Sequence, residues 1–160
     1  MTTEPKSPVQ RLSDLGYTLP EAPSPVASYV PAKRVGDMVY VSGQIPLAQG
    51  ELLASGRVPD QVSEARACEA ARQCALNGLA VLAAQSSRGL DGVAEIIRLG
   101  VFVQCTQEFT GQPSVANGAS ELMESVFGPE GRHVRAAVGS ISLPLNAPVE
   151  VELLARMHPE

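Results

Sequence analysis

The alternation of apolar and polar positions divides the chain into a short leading helix, two strand-rich ends and a helix–strand–helix middle. In SPVQRLSDLG, Ser7 is an N-cap, Pro8 suits the first helical position and Gly16 is a stop. TLPEAPSP holds three prolines in eight residues and predicts an extended connector. VASYVPAKRVGDMVYVSGQIP predicts two strands about the Gly36-Asp37 turn. The run from Met38 to Ser42 is nearly all apolar, which predicts a strand covered on both faces. After the turn-rich GELLASGRVPD, Asp60 is the predicted cap of a long helix. Its apolar stripe is Cys68, Ala71, Ala75, Leu79 and Leu82, recurring at three- and four-residue spacing. Gly89 and Gly92 close that unit, and VAEIIRLGVFVQC predicts a long strand. Pro113 opens a second helix with Val115, Ala119, Leu122, Met123 and Val126 inward, ended by Gly128-Pro129. HVRAAVGSISL and PVEVELLARM are the last two strands, predicted to be adjacent about the Pro144-Leu145-Asn146 turn.

The order is ββ(β)αβαββ, an α+β sandwich with two helices on one face of a mixed sheet. Residues 1–25 form an N-terminal extension with a short helix, and residues 26–160 a single domain. A chain of 160 residues can bury an adequate core without a metal or disulfide staple. Helices cover one sheet face only, so the other needs a partner. A composition of 44% hydrophobic and 18% charged residues points to further copies of the chain. The net charge of -5 and isoelectric point near 5.1 argue against a nucleic-acid partner. Cys68, Cys74 and Cys105 lie inside apolar patterns and read as reduced thiols of a cytoplasmic protein. MTTEPKSPVQ lacks the apolar core of a secretion signal, and no apolar run reaches the roughly 18 residues of a membrane span.

Metal and cofactor chemistry find little support. His133 and His158 are isolated, Cys68 and Cys74 fall on different faces of one helix, and no glycine-rich phosphate loop is present. Arg135 is the sharper feature, since a guanidinium cannot be neutralised and burial demands a partner. It either pairs with Glu150 or Glu152 on the adjacent strand, or leaves its fork free for a substrate carboxylate. Between these the residues alone favour the ion pair. Ser42-Gly43 marks either a plain bulge or a place where a ligand approaches the backbone closely.

VYVSGQIP, Asn117 within SVANGASELMESVFG, and Arg135-x-x-Val138 followed by LP and Val149-Glu150-Val151-Glu152 carry a resemblance. They resemble the YjgF/Rid family of reactive imine deaminases, to which the labels endoribonuclease L-PSP and translation inhibitor are also attached. The resemblance runs from about Val26 to Met157. It implies a chorismate-mutase-like fold and a cytoplasmic homotrimer with clefts between subunits. It further implies hydrolysis of 2-imino or enamino acids to 2-keto acids and ammonia, with no cofactor and no metal. By the same resemblance Arg135 and Glu150 are catalytic, and Tyr29, Ser42, Gly43, Asn117, Arg135 and Ala137 contact a small carboxylate-bearing metabolite. His133-Val134-Arg135-Ala136 stands where family members carry Pro-Ala-Arg-Ser, and Ala137 where cysteine is common. Ala27-Ser28-Tyr29 replaces Gly-Pro-Tyr. These departures resemble a separate Rid-like branch. A non-catalytic metabolite sensor built on the same cleft is the competing reading.

Overall fold

Ser7 does what its position requires. In the computed structural model, which describes residues 5–24 and 27–159, it caps helix α1 (Pro8–Asp14). Its hydroxyl accepts from the Gln10 N–H while the Gln10 side chain accepts from the Ser7 N–H, a reciprocal capping box. The expected boundary at residues 25 and 26 lies outside the described residues. Helix α1 is not a loose appendage: Leu12 is buried, and the helix packs on α3 (Gln112–Phe127).

Strands β1 (Ala32–Val35) and β2 (Met38–Gln44) pair antiparallel about Gly36, whose φ of 63° suits a residue without a side chain. Along β2, Val39 and Val41 are buried while Tyr40 is 53% exposed. The apolar run therefore has one covered face within the chain, not the two expected. A two-stranded ribbon, β3 (Leu47–Ala48) with β4 (Glu51–Leu52), follows.

Helix α2 (Glu64–Ala83) begins three residues later than predicted, because Ser63 is its cap and accepts from the Arg66 N–H at 3.1 Å. Asp60 is engaged elsewhere, by the Arg57 guanidinium. The stripe from Ala71 to Leu82 is buried as the spacing predicts, although Cys68 at its start is only half-buried. Helices α2 and α3 cross closely at Gly118. A side-chain carbon there would lie 2.0 Å from the Cys68 carbonyl oxygen.

Strand β5 (Val93–Gln104) runs antiparallel to β7 (Val149–Met157) and parallel to β6 (Val134–Ser140), so the sheet order is β1-β2-β7-β5-β6. The mostly antiparallel sheet carries α2 and α3 on one face, giving the predicted α+β architecture. The predicted adjacency of the last two strands does not hold. Strand β7 alternates five buried positions with partly exposed ones, as one covered face requires, and it pairs with β2 on one side and β5 on the other. Residues 141–148 carry the chain past β5 to reach that place, leaving β6 at the edge.

The face away from the helices stays open. Val134 and Val138 on β6 and Tyr40 on β2 are largely exposed there, with Phe102 and Leu154 half-buried between them. The three cysteines are free. Among the described residues no helix is long and apolar enough to cross a membrane.

Candidate functional site

The end of β2 is irregular for a reason. Its register against β7 shifts between Val41 and Gln44, a bulge that turns Ser42 and Gly43 toward Glu150. Both the N–H and the hydroxyl of Ser42 donate to the Pro31 carbonyl, at 3.0 and 3.1 Å, which pins the bulge. A side-chain carbon on Gly43 would sit 1.9 Å from Glu150 Oε1, so the carboxylate occupies the space that glycine vacates. Gly100 does the same for Glu152, whose Oε1 lies 2.6 Å from the corresponding point. Tyr29, Pro31, Ser42, Gly43, Pro144 and Glu150 line a cavity of about 50 Å³, room for a few waters or part of a small ligand.

The two glutamates differ in state. Glu152 is paired with Arg98 at 3.0 Å. Glu150 is half-buried, and among the described residues no cation lies within ion-pair distance of it. Burial first, and the nearby Glu152 charge second, push its carboxyl above the usual carboxylate range. A carboxyl of that kind can hold or release a proton closer to neutrality than a free one.

Arg135 lies elsewhere. It is in register with Leu99, a fully buried residue on the helix-covered face, whereas Glu150 and Glu152 sit on the open face opposite Phe102 and Gly100. Arg135 and Glu150 thus occupy opposite faces of the sheet with β5 between their strands. The expected cross-strand ion pair is absent for this reason. The guanidinium instead donates to Asn117 Oδ1 at 2.8 Å, Ser120 Oγ at 3.0 Å and the Pro113 carbonyl at 3.2 Å. All three acceptors are neutral, so among the described residues the charge of Arg135 has no counter-ion. A cavity of about 360 Å³ opens beside it, lined by Asn117, Ser120, Glu124, Arg132, His133 and Arg135.

The residues singled out from the sequence therefore fall into two groups. Tyr29, Ser42, Gly43 and Glu150 share one cavity; Asn117 and Arg135 share another. Ala137 lies two residues beyond Arg135 on the same face, packed against the core and lining neither. Ser120 went unnoticed, and His133 was weighed only as an isolated histidine, not as a partner of Arg135. Their signal was positional: Ser120 is one helical turn after Asn117, and His133 is two residues before Arg135 along an extended segment. Among the described residues no three His, Cys, Asp or Glu side chains are grouped as a metal ion would need. The Cys74 thiol, which burial pushes well above its ordinary range, donates to the Val149 carbonyl inside the core.

Comparison with known proteins agrees with this architecture. A family described as "YjgF/chorismate mutase-like, putative endoribonuclease" matches residues 9–157. The chain is 41% identical over 149 residues to Protein TCP17 of Trypanosoma cruzi, covering 92% of each. It superimposes on the crystal structure of Atu1372, a protein of unknown function from Agrobacterium tumefaciens, with a TM-score of 0.87. The identity is 43%, over 92% of this chain and 91% of that one. It is 28% identical over 134 residues to a 2-iminobutanoate/2-iminopropanoate deaminase of Dermatophagoides farinae, covering 83% of this chain and 88% of that protein.

Proposed function

The chain belongs to the YjgF/chorismate mutase-like family, and from that premise we propose that it hydrolyses small 2-imino acids to 2-keto acids and ammonia in clefts between subunits of a cytoplasmic homotrimer. One observation carries this reading. Among the described residues Arg135 has no counter-ion and Glu150, whose affinity for a proton is raised, has no cation; the two lie on opposite faces of one sheet, so a single chain cannot bring both to one ligand. A second copy, laid against the open face and the β6 edge, can supply the missing half. Because the two halves differ, the contact is head-to-tail, and head-to-tail contacts that close make rings.

The chemistry fits the two halves. Arg135 clamps the substrate carboxylate with its planar fork, and the Asn117 side-chain amide holds that fork in place. A protonated imine is already electrophilic at C2. Glu150 from the neighbouring copy takes a proton as water attacks C2 and returns it to the nitrogen as the carbon–nitrogen bond breaks. The remaining hydroxyl proton then passes by way of the freed carboxylate to the ammonia, which leaves as ammonium while the ketone forms. Ser42, Gly43 and Tyr29 shape the wall around that carboxyl. The three free cysteines suit the reducing cytoplasm. The net charge of -5 offers no electrostatic footprint for RNA.

The test is release of ammonia and keto acid when an amino-acid oxidase generates imino acids in the presence of the protein. Release faster than the spontaneous rate, abolished by Arg135→Ala and by Glu150→Gln, is the expected result. Binding of pyruvate by the wild type with no acceleration would favour the sensor reading instead.

A further inference from the structure

His133 and Ser120 form a hydrogen-bonded chain that ends on Arg135. The His133 Nδ1 lies 2.7 Å from the Gly131 carbonyl, which can only accept, so Nδ1 carries a proton. In the neutral ring Nε2 is then an acceptor, and it lies 2.8 Å from Ser120 Oγ. The Ser120 hydroxyl must therefore donate to His133 while its lone pair accepts from Arg135 Nη1 at 3.0 Å. In that state Ser120 has no proton to offer a ligand. Protonating His133 reverses the order: Nε2–H donates to Ser120 Oγ, and the hydroxyl proton turns outward into the cavity beside Arg135.

We propose that Ser120 and His133 are part of the anion site at Arg135, and that a small carboxylate binds there together with one proton taken up by His133. The inference rests on the reading of Arg135 as a carboxylate clamp. Bound this way, the anion receives hydrogen bonds from the guanidinium and the Ser120 hydroxyl, with the His133 imidazolium behind Ser120 as a second positive charge. The other charged groups about the imidazole are named by the same cavity. Glu121 and Glu124 face it from α3, Arg132 from the segment before β6, and Arg132 is already paired with Glu124 at 2.9 Å. Glu130 lies in the preceding turn, outside the cavity lining. None of these carboxylates reaches Arg135 within ion-pair distance, so among the described residues the anion has no built-in competitor.

Proton uptake coupled to binding makes affinity depend on pH, and the coupling is reciprocal. Because a proton is taken up with the anion, affinity is expected to fall as pH rises, by more than about fivefold between pH 6 and pH 8. Pyruvate, ionised throughout that range, is the probe. Its affinity is measured by titration calorimetry for wild type, His133→Asn, Ser120→Ala and Arg135→Ala, each checked for an unchanged melting temperature and oligomer mass. The heat of binding in buffers of different ionisation enthalpy counts the protons taken up. The wild type should show the pH slope and net uptake of a proton near pH 7. His133→Asn and Ser120→Ala should lose both, and His133→Asn should bind at pH 6 as the wild type does at pH 8. A flat wild-type profile, or a slope that survives in His133→Asn, would overturn the proposal. Arg135→Ala separates the two readings: if it leaves pyruvate affinity intact the clamp itself is wrong. If it abolishes binding while the wild type is pH-independent, only the role of His133 and Ser120 falls.

Discussion

Glu150 and Arg135 are charged groups held in opposite conditions, and each makes its own prediction. Glu150 is disfavoured as an anion because it is half-buried and faces another carboxylate. The folded protein therefore binds its proton more tightly than the unfolded chain does. Stability suffers no penalty at low pH and loses ground as pH rises from the ordinary carboxylate range through the raised one. Glu150→Gln, which imitates the protonated form, should leave the melting temperature unchanged at pH 4 and raise it at pH 7.5. Equal shifts at both pH values would show that burial of the charge is not the cause. Among the described residues Arg135 has no counter-ion, so its worth should appear in binding, not folding. Arg135→Ala should weaken pyruvate binding by about 1.5–3 kcal/mol, the range for hydrogen bonds to charged groups. Arg135→Lys should recover only part of that, since an ammonium cannot form the fork. Calorimetry on both variants decides the order.

Among the elements, the α2–α3 crossing bears on the site most directly, because α3 carries Asn117 and Ser120. Gly118, between them, lies against the Cys68 backbone of α2, where nothing flexible can move aside. Gly118→Ala must push the two helices apart, an overpacking strain of about 1–3 kcal/mol. Urea unfolding should register that loss. Because α3 would shift relative to β6, pyruvate affinity should fall with it, whereas Ala116→Gly, on the same helix, should cost stability with little change in affinity. A similar coupling serves the other cavity. Buried Gln104 on β5 donates to Asn146 Oδ1 at 2.6 Å and accepts from the Leu143 N–H at 2.7 Å. It thereby holds the loop whose Pro144 walls the Glu150 cavity, including Leu145 at a φ of 54°.

For the whole molecule, the open sheet face and the split site point to one assembly. Light scattering should give three times the 16.8 kDa chain mass. Val138→Glu, which puts a charge on the open face beside Phe102, should reduce that mass. A monomer at micromolar concentration in the wild type would remove the basis for a shared site. A sharper outcome follows from mixing. Arg135→Ala and Glu150→Gln oligomers should each be inactive alone. Mixed by reversible dissociation and reassociation, they should regain part of the activity, because some clefts then combine an intact Arg135 with an intact Glu150 from another copy. No recovery, in mixtures shown by mass to have exchanged subunits, would place both residues' roles within one chain.

Much of this was legible in the residues. The Ser7 cap, the α2 and α3 stripes, the long β5 and the period-two burial of β7 follow from local pattern, because each depends on neighbours within a few positions. Arg135, Glu150 and the glycine at Gly43 could also be marked, since a guanidinium, a glutamate in an aliphatic run and a glycine ending a strand are conspicuous in composition alone. What local pattern could not decide was which strands become neighbours. Two strands consecutive in sequence were expected to pair, but β7 buries more apolar surface between β2 and β5 than it could at the edge, and so the sheet separates it from β6. That order puts β5 between Arg135 and Glu150, and the register along β5 sets the two on opposite faces, which together deny Arg135 its expected ion pair. It also leaves Asn117, Ser120 and His133 as the groups around the guanidinium. Strand order is set by the total burial of the sheet, a sum over contacts distant in sequence, and no short window of residues contains it.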